Sequence, residues 1–269
     1  MNSSTAYSNH EKLRDFWNAK AEAGKWAGTR DLVAKEIEIE AIAKYVKEGM
    51  RVLDVGCGNG VTAIELARRF PIRITGTDIS QEKVLESQKM AEGVEICGEI
   101  DFAPLDILHV EKVEETFDMI YTERVIITLL EWETQRRAIS NIFKFLKPGG
   151  IFVMCENSHE GWEEINRYRE MLQIASYSPP SDNRYLRDTD IRSVQTGGIE
   201  LEAIDYYSST YYLLSRVVNA YLSKVENKEP TYDAEINQIA KKIPSIGNMG
   251  QGRIWVWKKL NQKIADYKK

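Results

Sequence analysis

The chain contains only three cysteines, Cys57, Cys97 and Cys155, and no two of them are closely spaced. A disulfide framework or a cysteine-based zinc site is therefore not expected, and no metal is predicted. All three lie in or beside apolar segments, which predicts buried free thiols. Long apolar runs are also missing, since stretches such as Val125–Ile127 are far shorter than a membrane span. The first residues lack a basic region followed by an apolar core, so we expect no signal peptide and a cytoplasmic location away from membranes.

An excess of basic residues is missing as well. The chain has 36 Lys and Arg against 41 Asp and Glu, a net charge of −5, whereas binding to nucleic acid requires a basic surface. The 269 residues are 43% hydrophobic and 29% charged, which suffices for one large α/β domain carrying insertions.

Strand-like and helical segments alternate along the first part of the chain. Short β-prone runs occupy 51–55, 73–78, 117–122 and 151–155, with a weaker one within 94–105, and helical runs occupy 61–70, 80–90 and 132–146. This alternation predicts βαβ units and a parallel sheet. Two late strands, at 199–206 and 254–258, complete the pattern. We expect a helical lid over 1–48, a main domain over 49–269, and insertions on the substrate side at about 157–197 and 207–252.

The first predicted strand ends in a glycine-rich loop, V-L-D-V-G-C-G-N-G over 52–60. Its glycines allow a tight turn and a close approach of the backbone to a ligand. A dinucleotide-binding loop would have its last glycine at the position of Val61. Asp54 would also repel a pyrophosphate, but it suits a cationic ligand. The loop therefore favours S-adenosylmethionine (SAM), which carries a sulfonium and an ammonium group, over NAD.

Asp78 ends the second predicted strand, 18 residues after Gly60 (78 − 60). A carboxylate at about this distance is placed to accept hydrogen bonds from both hydroxyls of a ribose. The alternative role is a helix cap, but Ser80 already fits that role.

Together these motifs resemble those of class I (Rossmann-like) SAM-dependent methyltransferases. Leu105–Ile107 is similar to the family's third-strand motif, 117–120 to its fourth strand, and 146–150 to the turn before its fifth. The resemblance implies a doubly wound α/β fold with a seven-stranded mixed sheet of order 3-2-1-4-5-7-6, the last strand antiparallel. It also implies that the product is S-adenosylhomocysteine (SAH). The residues expected to bind the cofactor are Asp54, Gly56, Cys57, Gly58, Gly60, Asp78, Ile79, Asp106, Ile107, Thr122 and Glu123.

Some of these assignments have alternatives. Asp106 either meets the adenine amino group, as the resemblance implies, or caps a loop. Glu123 either meets the methionine end of SAM or forms a surface ion pair with Arg124. In this family an N-terminal segment commonly folds over the cofactor, and an arginine there can hold its carboxylate. Arg30 is that candidate, with Trp26 and Thr29 as neighbours, unless it lies on a solvated lid helix.

The acceptor would be bound by the segments that follow strands four, five and six. Its candidate contacts are Arg124, Asn183, Tyr185, Tyr207, Tyr211 and Arg216. Tyrosines can stack on a small polar acceptor, but strand packing also explains part of the run at 206–212. No catalytic base is assigned. His159 and Glu156 are the candidates, and His159 has the alternative of a solvated loop residue.

The predicted activity is methylation of an oxygen or nitrogen of a small molecule or surface-sugar precursor by a monomer or homodimer. N-R-Y-L at 183–186 and S-S-T-Y-Y-L-L-S-R at 208–216 resemble a bacterial subgroup with small-molecule or glycan-related acceptors. One alternative is a SAM-binding scaffold without catalysis. Another is a nucleic-acid methyltransferase, but the chain lacks a basic face, and Thr122-Glu123-Arg124 stands where N-P-P-Y or D-P-P-Y would follow the fourth strand.

Overall fold

A computed structural model describes residues 29–110, 113–194 and 197–261. Its centre is a seven-stranded sheet of order β3-β2-β1-β4-β5-β7-β6, in which β7 runs antiparallel to both neighbours. This confirms the predicted fold class and strand order. The strands are β1 (Arg51–Val55), β2 (Arg73–Asp78), β3 (Glu99–Pro104), β4 (Phe117–Glu123), β5 (Leu146–Asn157), β6 (Ile199–Asp205) and β7 (Gly252–Lys259).

The central strands are apolar on both faces because helices cover both sides of the sheet. Successive side chains point to opposite faces, so Leu53 and Val55 join one hydrophobic cluster while Val52 joins the other. Trp255 and Trp257 of β7 are almost completely buried in the first cluster. β1 lies between β2 and β4 and runs parallel to both, so the three strands end side by side and the residues that follow them meet at one edge.

The helices begin and end largely where local signals predict. They are α1 (Leu32–Ala43), α2 (Val61–Arg69), α3 (Gln81–Ala91), α4 (Trp132–Ile142), α5 (His159–Met171), α6 (Asp188–Arg192), α7 (Ser209–Tyr212), α8 (Asn219–Val225) and α9 (Glu235–Ala240). Asp31 caps α1 by accepting from Ala34 N at 3.0 Å, and Ser80 caps α3 by accepting from Lys83 N at 3.2 Å. The cap predicted at Ser80 is confirmed.

The beginning of β5 differs from the prediction. The run 147–150 was expected to form a turn that stops a helix, with a strand only from 151. Instead α4 ends at Ile142, a 3₁₀ turn covers Phe143–Phe145, and β5 already begins at Leu146. The proline and glycines lie within this strand, where a register shift against β4 accommodates them. The prediction of three buried thiols holds only for Cys155, because Cys97 is exposed and Cys57 is only partly buried.

The segments around the sheet carry the remaining helices. α5 and α6 lie between β5 and β6, and α7, a π-helix over Leu213–Val218, α8 and α9 lie between β6 and β7. In the described part of the N-terminal segment, Ala41 and Ile42 of α1 are buried in the core beside β1 and α2. None of the described helices is long and apolar enough to cross a bilayer. Within the same ranges, no group of His, Cys, Asp and Glu side chains is arranged to hold a metal ion.

Candidate functional site

A cavity of about 320 Å³ opens where the strands β1 to β4 end, the usual position of ligands in open α/β sheets. Its wall combines the glycine loop, the ends of β2 and β4, the segment after β3, and a loop between α5 and α6. The residues lining it are Lys35, Asp54–Asn59, Asp78, Ile79, Lys83, Leu105–Leu108, Glu123–Val125, Thr128, Leu129, Pro180, Asp182 and Asn183.

The glycine loop bends through three left-handed residues, Gly56, Gly58 and Gly60, whose φ angles are 78°, 57° and 79°. A Cβ at Gly56 would lie 2.3 Å from Val125, and one at Gly60 would lie 2.9 Å from the Phe102 ring. Gly60 is not part of the described cavity wall, so packing against β3 accounts for it. Gly58 lines the cavity, and a Cβ there would meet no described atom within 4 Å. Its backbone is therefore open to a close approach by a ligand.

Asp78 joins the end of β2 to the glycine loop. Its Oδ2 accepts from Gly58 N at 3.0 Å, and its Oδ1 accepts from Ser80 N at 2.9 Å. Burial raises the pKa of Asp78, although these backbone donors oppose the shift. The carboxylate is thus fixed on the cavity wall beside Ile79 with further acceptor capacity for ligand hydroxyls.

Asp106 forms the loop cap that is one of its two predicted roles, and the adenine contact stays a prediction. It caps the turn after β3, because its Oδ1 accepts from Leu108 N at 2.9 Å, and it also lies on the cavity wall. Its Oδ2 lies 2.5 Å from His109 Nδ1. The apolar Ile107 and Leu108 line the cavity beside it. A carboxylate with apolar neighbours fits a flat heterocycle that carries an amino group.

At the end of β1, Asp54 lies almost completely buried on the cavity wall. The Tyr121 hydroxyl donates to its Oδ2 at 2.7 Å. Burial raises the pKa of Asp54 to about 8, even though this hydrogen bond favours the charged form. A cation in the cavity would stabilise the ionised carboxylate, which fits a positively charged ligand.

The raised pKa of Asp54 makes a prediction about stability. Between about pH 4 and pH 8 the folded state keeps a proton on Asp54 that the unfolded state has already lost. The free energy of unfolding therefore falls as the pH rises through that window. Asp54→Asn removes the titration and keeps an acceptor for Tyr121. We expect the free energy of unfolding to rise by about 2 kcal/mol at pH 8 and to change little near pH 4. Urea denaturation at both pH values measures this, and an equal effect at both would contradict it.

Lys35 and Glu123 form a partly buried ion pair at the end of β4, where Glu123 is predicted to meet the methionine end of SAM. Lys35 Nζ lies 2.5 Å from Glu123 Oε1 and 2.7 Å from Thr62 Oγ1, and the Thr62 hydroxyl donates to Glu123 Oε2 at 2.6 Å. Burial opposes the charge of Glu123, but Lys35 and Arg124 outweigh it and lower its pKa to about 2. Both members of the pair line the cavity.

Arg124 does pair with Glu123, the alternative predicted for that residue, but the pair lies on the cavity wall and not on the outer surface. Arg124 adopts a left-handed conformation with φ 57° after β4, lines the cavity, and has its Nε 3.4 Å from Glu38 Oε2. Its Nη2 is 3.8 Å from Glu123 Oε1. Burial raises the pKa of Glu38 to about 8, with Arg124 opposing and Glu123 adding to the rise. Burial thus favours the protonated form of Glu38, whereas Lys35 and Arg124 favour the charged form of Glu123.

Several predicted cofactor residues lie away from this wall. Thr122 is completely buried in β4 between β1 and β5, so its side chain belongs to the core. Thr29 accepts from Asp31 N at 3.0 Å, and Arg30 is exposed. Neither belongs to the cavity wall formed by the described residues. Trp26 lies outside the described residues.

Most of the predicted acceptor contacts are instead buried in packing between the insertions, α1 and the sheet. Arg124 and Asn183 line the cavity, whereas the described wall does not include Tyr185, Tyr207, Tyr211 or Arg216. The tyrosine hydroxyls bond to Gln251, Cys155 and Asp31 respectively, and Arg216 also pairs with Asp31. Polar side chains in such packing need hydrogen-bond partners, and these side chains find them within the protein. In the sequence the same pattern resembles a binding surface.

Neither catalytic candidate is on the described wall. His159 Nε2 lies 3.0 Å from Arg187 Nη2, and its ring packs against Trp162. Glu156 is 1% exposed and accepts from the backbone N–H groups of Val125, Ile126 and Ile127 at 3.0 to 3.3 Å. Burial raises the pKa of Glu156 to about 7, against the effect of these donors. The arrangement gives Glu156 a structural role in fixing the loop after β4.

A second buried side chain, Gln135 of α4, joins that loop to the wall formed by the α5–α6 connection. Its Nε2 donates to Ile126 O at 3.1 Å and to Arg184 O at 2.9 Å, and its Oε1 accepts from Arg184 Nη1 at 2.6 Å. Arg184 N also donates to Ile127 O at 2.7 Å. Glu156 and Gln135 thus hold two loops of the cavity wall in one arrangement without lining it.

The sequence reasoning missed several wall residues, and most carry no local motif. The described wall also includes Lys35, Lys83, Leu105, Leu108, Val125, Thr128, Leu129, Pro180 and Asp182. Lys35 is one of several charged residues along α1, and only the fold shows that it reaches Glu123.

Comparisons with known proteins agree with this geometry. Residues 46–191 match a family model described as a methyltransferase domain. The O-methyltransferase resE of Aspergillus sclerotiorum is 25% identical over 194 residues, which are 68% of this chain and 72% of that protein. The sterol 24-C-methyltransferase of Clavispora lusitaniae is 26% identical over 178 residues, which are 64% of this chain and 46% of that protein.

Solved structures show the same fold. The magnesium protoporphyrin IX methyltransferase of Synechocystis PCC 6803 with bound SAH superposes with a TM-score of 0.59 at 16% identity. The superposition covers 93% of this chain and 99% of that one.

Proposed function

Since the chain belongs to the methyltransferase domain family, we propose that it transfers a methyl group from SAM to an oxygen of a small organic acceptor. The observation that carries the proposal is the cavity at the strand ends, where an open glycine loop, Asp78 and Asp106 meet the Lys35–Glu123 pair. Bound SAM supplies a methyl group on a positively charged sulfur atom. The residues of the chain bind that donor, orient it and shield the reaction from water.

The order of the strands separates the two ends of the donor site. Asp106 follows β3 and Asp78 ends β2, whereas Asp54 and Glu123 lie at the ends of β1 and β4. Neighbouring strands are about 4.8 Å apart, so the site extends roughly 14 Å from β3 to β4. We assign the adenine to Asp106, the ribose to Asp78, and the amino-acid group to Lys35 and Glu123. An α-amino acid has one charge of each sign, as this ion pair does.

The acceptor would face the wall built by the loop after β4 and the α5–α6 connection. That wall mixes apolar Val125, Leu129 and Pro180 with polar Asp182 and Asn183. It suits a small, partly apolar molecule with a hydrogen-bond donor such as a hydroxyl group. Similarity to an O-methyltransferase supports oxygen as the methylated atom. A nitrogen acceptor, the cytoplasmic location, the bacterial subgroup and the oligomeric state stay predictions from the sequence.

The proposal is tested first by binding and then by turnover. Isothermal titration calorimetry with SAM and SAH should show saturable binding, and no binding at hundreds of micromolar would reject the donor. Methyl-labelled SAM is then incubated with panels of phenols, hydroxy acids, sugars and amines. We expect labelled product and SAH from a hydroxyl-bearing compound. Donor binding without transfer to any panel would favour the scaffold alternative, sterol methylation would favour carbon, and robust turnover on tRNA or DNA would favour nucleic acid.

A further inference from the structure

The amino-terminal end of α1 is tied to the insertion that follows β6. Asp31 is buried, caps α1 through Ala34 N, and accepts from the Tyr211 hydroxyl at 2.5 Å. Its Oδ2 accepts from Arg216 Nη2 at 2.6 Å. One carboxylate therefore joins the first turn of α1 to α7 and the π-helix.

Arg216 is itself fixed in place. Its guanidinium lies over the rings of Tyr211, Tyr212 and Tyr232, with distances to the ring centroids of 5.9, 5.3 and 4.9 Å. It belongs to the π-helix Leu213–Val218, a geometry that is frequent at functional sites. Arg169 of α5 donates to its backbone carbonyl. The insertion thus presents a preorganised cation to Asp31.

The position of Asp31 determines the position of Lys35. Lys35 N donates to Asp31 O at 3.1 Å, so the two residues are one helical turn apart on α1. At the other end of the Lys35 side chain, Nζ bonds to Glu123 and Thr62 on the main domain. A displacement of the first turn of α1 would therefore move the ammonium group away from Glu123 and the cavity.

We propose that Arg216 and Asp31 are positioning residues for the amino-acid end of the donor: the insertion after β6 holds Lys35 where it meets the α-carboxylate. This inference rests on the proposed function, because it assigns that carboxylate to Lys35. It also links the insertion predicted for the substrate side to the affinity for the donor. Arg216 and Tyr211, which line no described part of the cavity, gain a role through Asp31.

The test uses two ligands that differ in the amino-acid part. SAH has it, and 5′-methylthioadenosine lacks it while keeping the adenine and ribose. Isothermal titration calorimetry measures the Kd of both ligands for the wild type, Arg216→Met, Lys35→Met and the double variant. We expect Arg216→Met to raise the Kd of SAH about tenfold and to leave that of 5′-methylthioadenosine within about twofold. Lys35→Met should show the same selective loss, the double variant should lose little more, and Arg216→Lys should restore part of the affinity.

A matched control separates positioning from general stability. Arg253 is buried, pairs with Asp188 at 2.8 Å and lies 5.0 Å from the Tyr206 ring centroid, and its hydrogen bonds go to Asp188 and Asn248, neither of which belongs to α1. Arg253→Met should leave the ratio of the two Kd values unchanged. If Arg216→Met does not fold, Tyr211→Phe removes one donor to Asp31 and tests the same selectivity with a smaller expected loss.

Three results would overturn the inference: an unchanged Kd of SAH in a folded Arg216→Met variant, equal losses for both ligands, or the same selective loss in Arg253→Met. Failure of the wild type to bind SAH would instead reject the proposed function.

Discussion

Replacing Asp78 with alanine weakens SAM binding by an expected 1–3 kcal/mol, which corresponds to a rise in Kd of about five- to 150-fold. The carboxylate would accept two ribose hydroxyls, and charge-assisted hydrogen bonds in a buried site are strong. The variant also leaves Gly58 N and Ser80 N without their acceptor, which loosens the glycine loop. Calorimetric titration with SAM measures the loss in a sample whose folding is checked by circular dichroism.

Two variants separate the role of Asp78 as a ligand from its role in the fold. Ser80→Ala removes the cap of α3 but keeps Asp78, so stability should fall by about 1 kcal/mol while SAM affinity is retained. Asp78→Asn keeps an acceptor oxygen but loses the charge, so its Kd should lie between those of the wild type and Asp78→Ala. Unchanged affinity in a folded Asp78→Ala variant would show that the ribose lies elsewhere.

Gly58→Val should raise the Kd for SAM at least about 100-fold. The valine side chain would extend from the loop that lines the cavity and prevent the backbone from approaching the ligand. The φ of 57° adds strain, because a β-branched residue rarely adopts the left-handed conformation. The measurement is the same titration, together with thermal unfolding to quantify the strain.

Gly93→Val is the matched control for that strain. Gly93 also has a positive φ, 72°, and a Cβ there would meet no described atom within 4 Å, but it follows α3 outside the cavity wall. The two variants should lose similar stability, whereas only Gly58→Val should lose SAM affinity. If both bind SAM like the wild type, the close approach of the ligand to Gly58 is wrong. If both lose affinity equally, strain rather than contact is the cause.

The sheet was predictable because its signals are local. The bounds of β1 and β2 match the prediction, since each strand is a short β-prone run that ends at a glycine loop or an acidic residue. The beginning of β5 was not predictable by the same means. Proline and glycine usually mark a turn, and only the pairing of Leu146 with Phe117 reveals that the strand already begins there.

The site divides in the same way. Asp54, Gly58, Asp78 and Asp106 lie at or just after the ends of strands in a recognisable order, and the structure places all four on the cavity wall. Lys35 reaches that wall through the packing of α1 on the main domain, which no local motif encodes. The predicted acceptor contacts of the tyrosines differ from the structure for a related reason. A hydroxyl that bonds to a buried partner and one that faces a ligand look alike in a sequence, and only the fold shows that Tyr211 donates to Asp31.

The buried side chains Gln135 and Glu156 have a consequence for the evolution of acceptor preference. They fix the backbone of two wall loops from behind, so the side chains of those loops can change without altering the loop geometry. Directed evolution of acceptor range should therefore vary Asp182 and Asn183 and keep Gln135 and Glu156 unchanged. A library with that division should retain a large share of folded, SAM-binding members. We therefore expect the geometry of the loops and the choice of acceptor to depend on different residues of this chain.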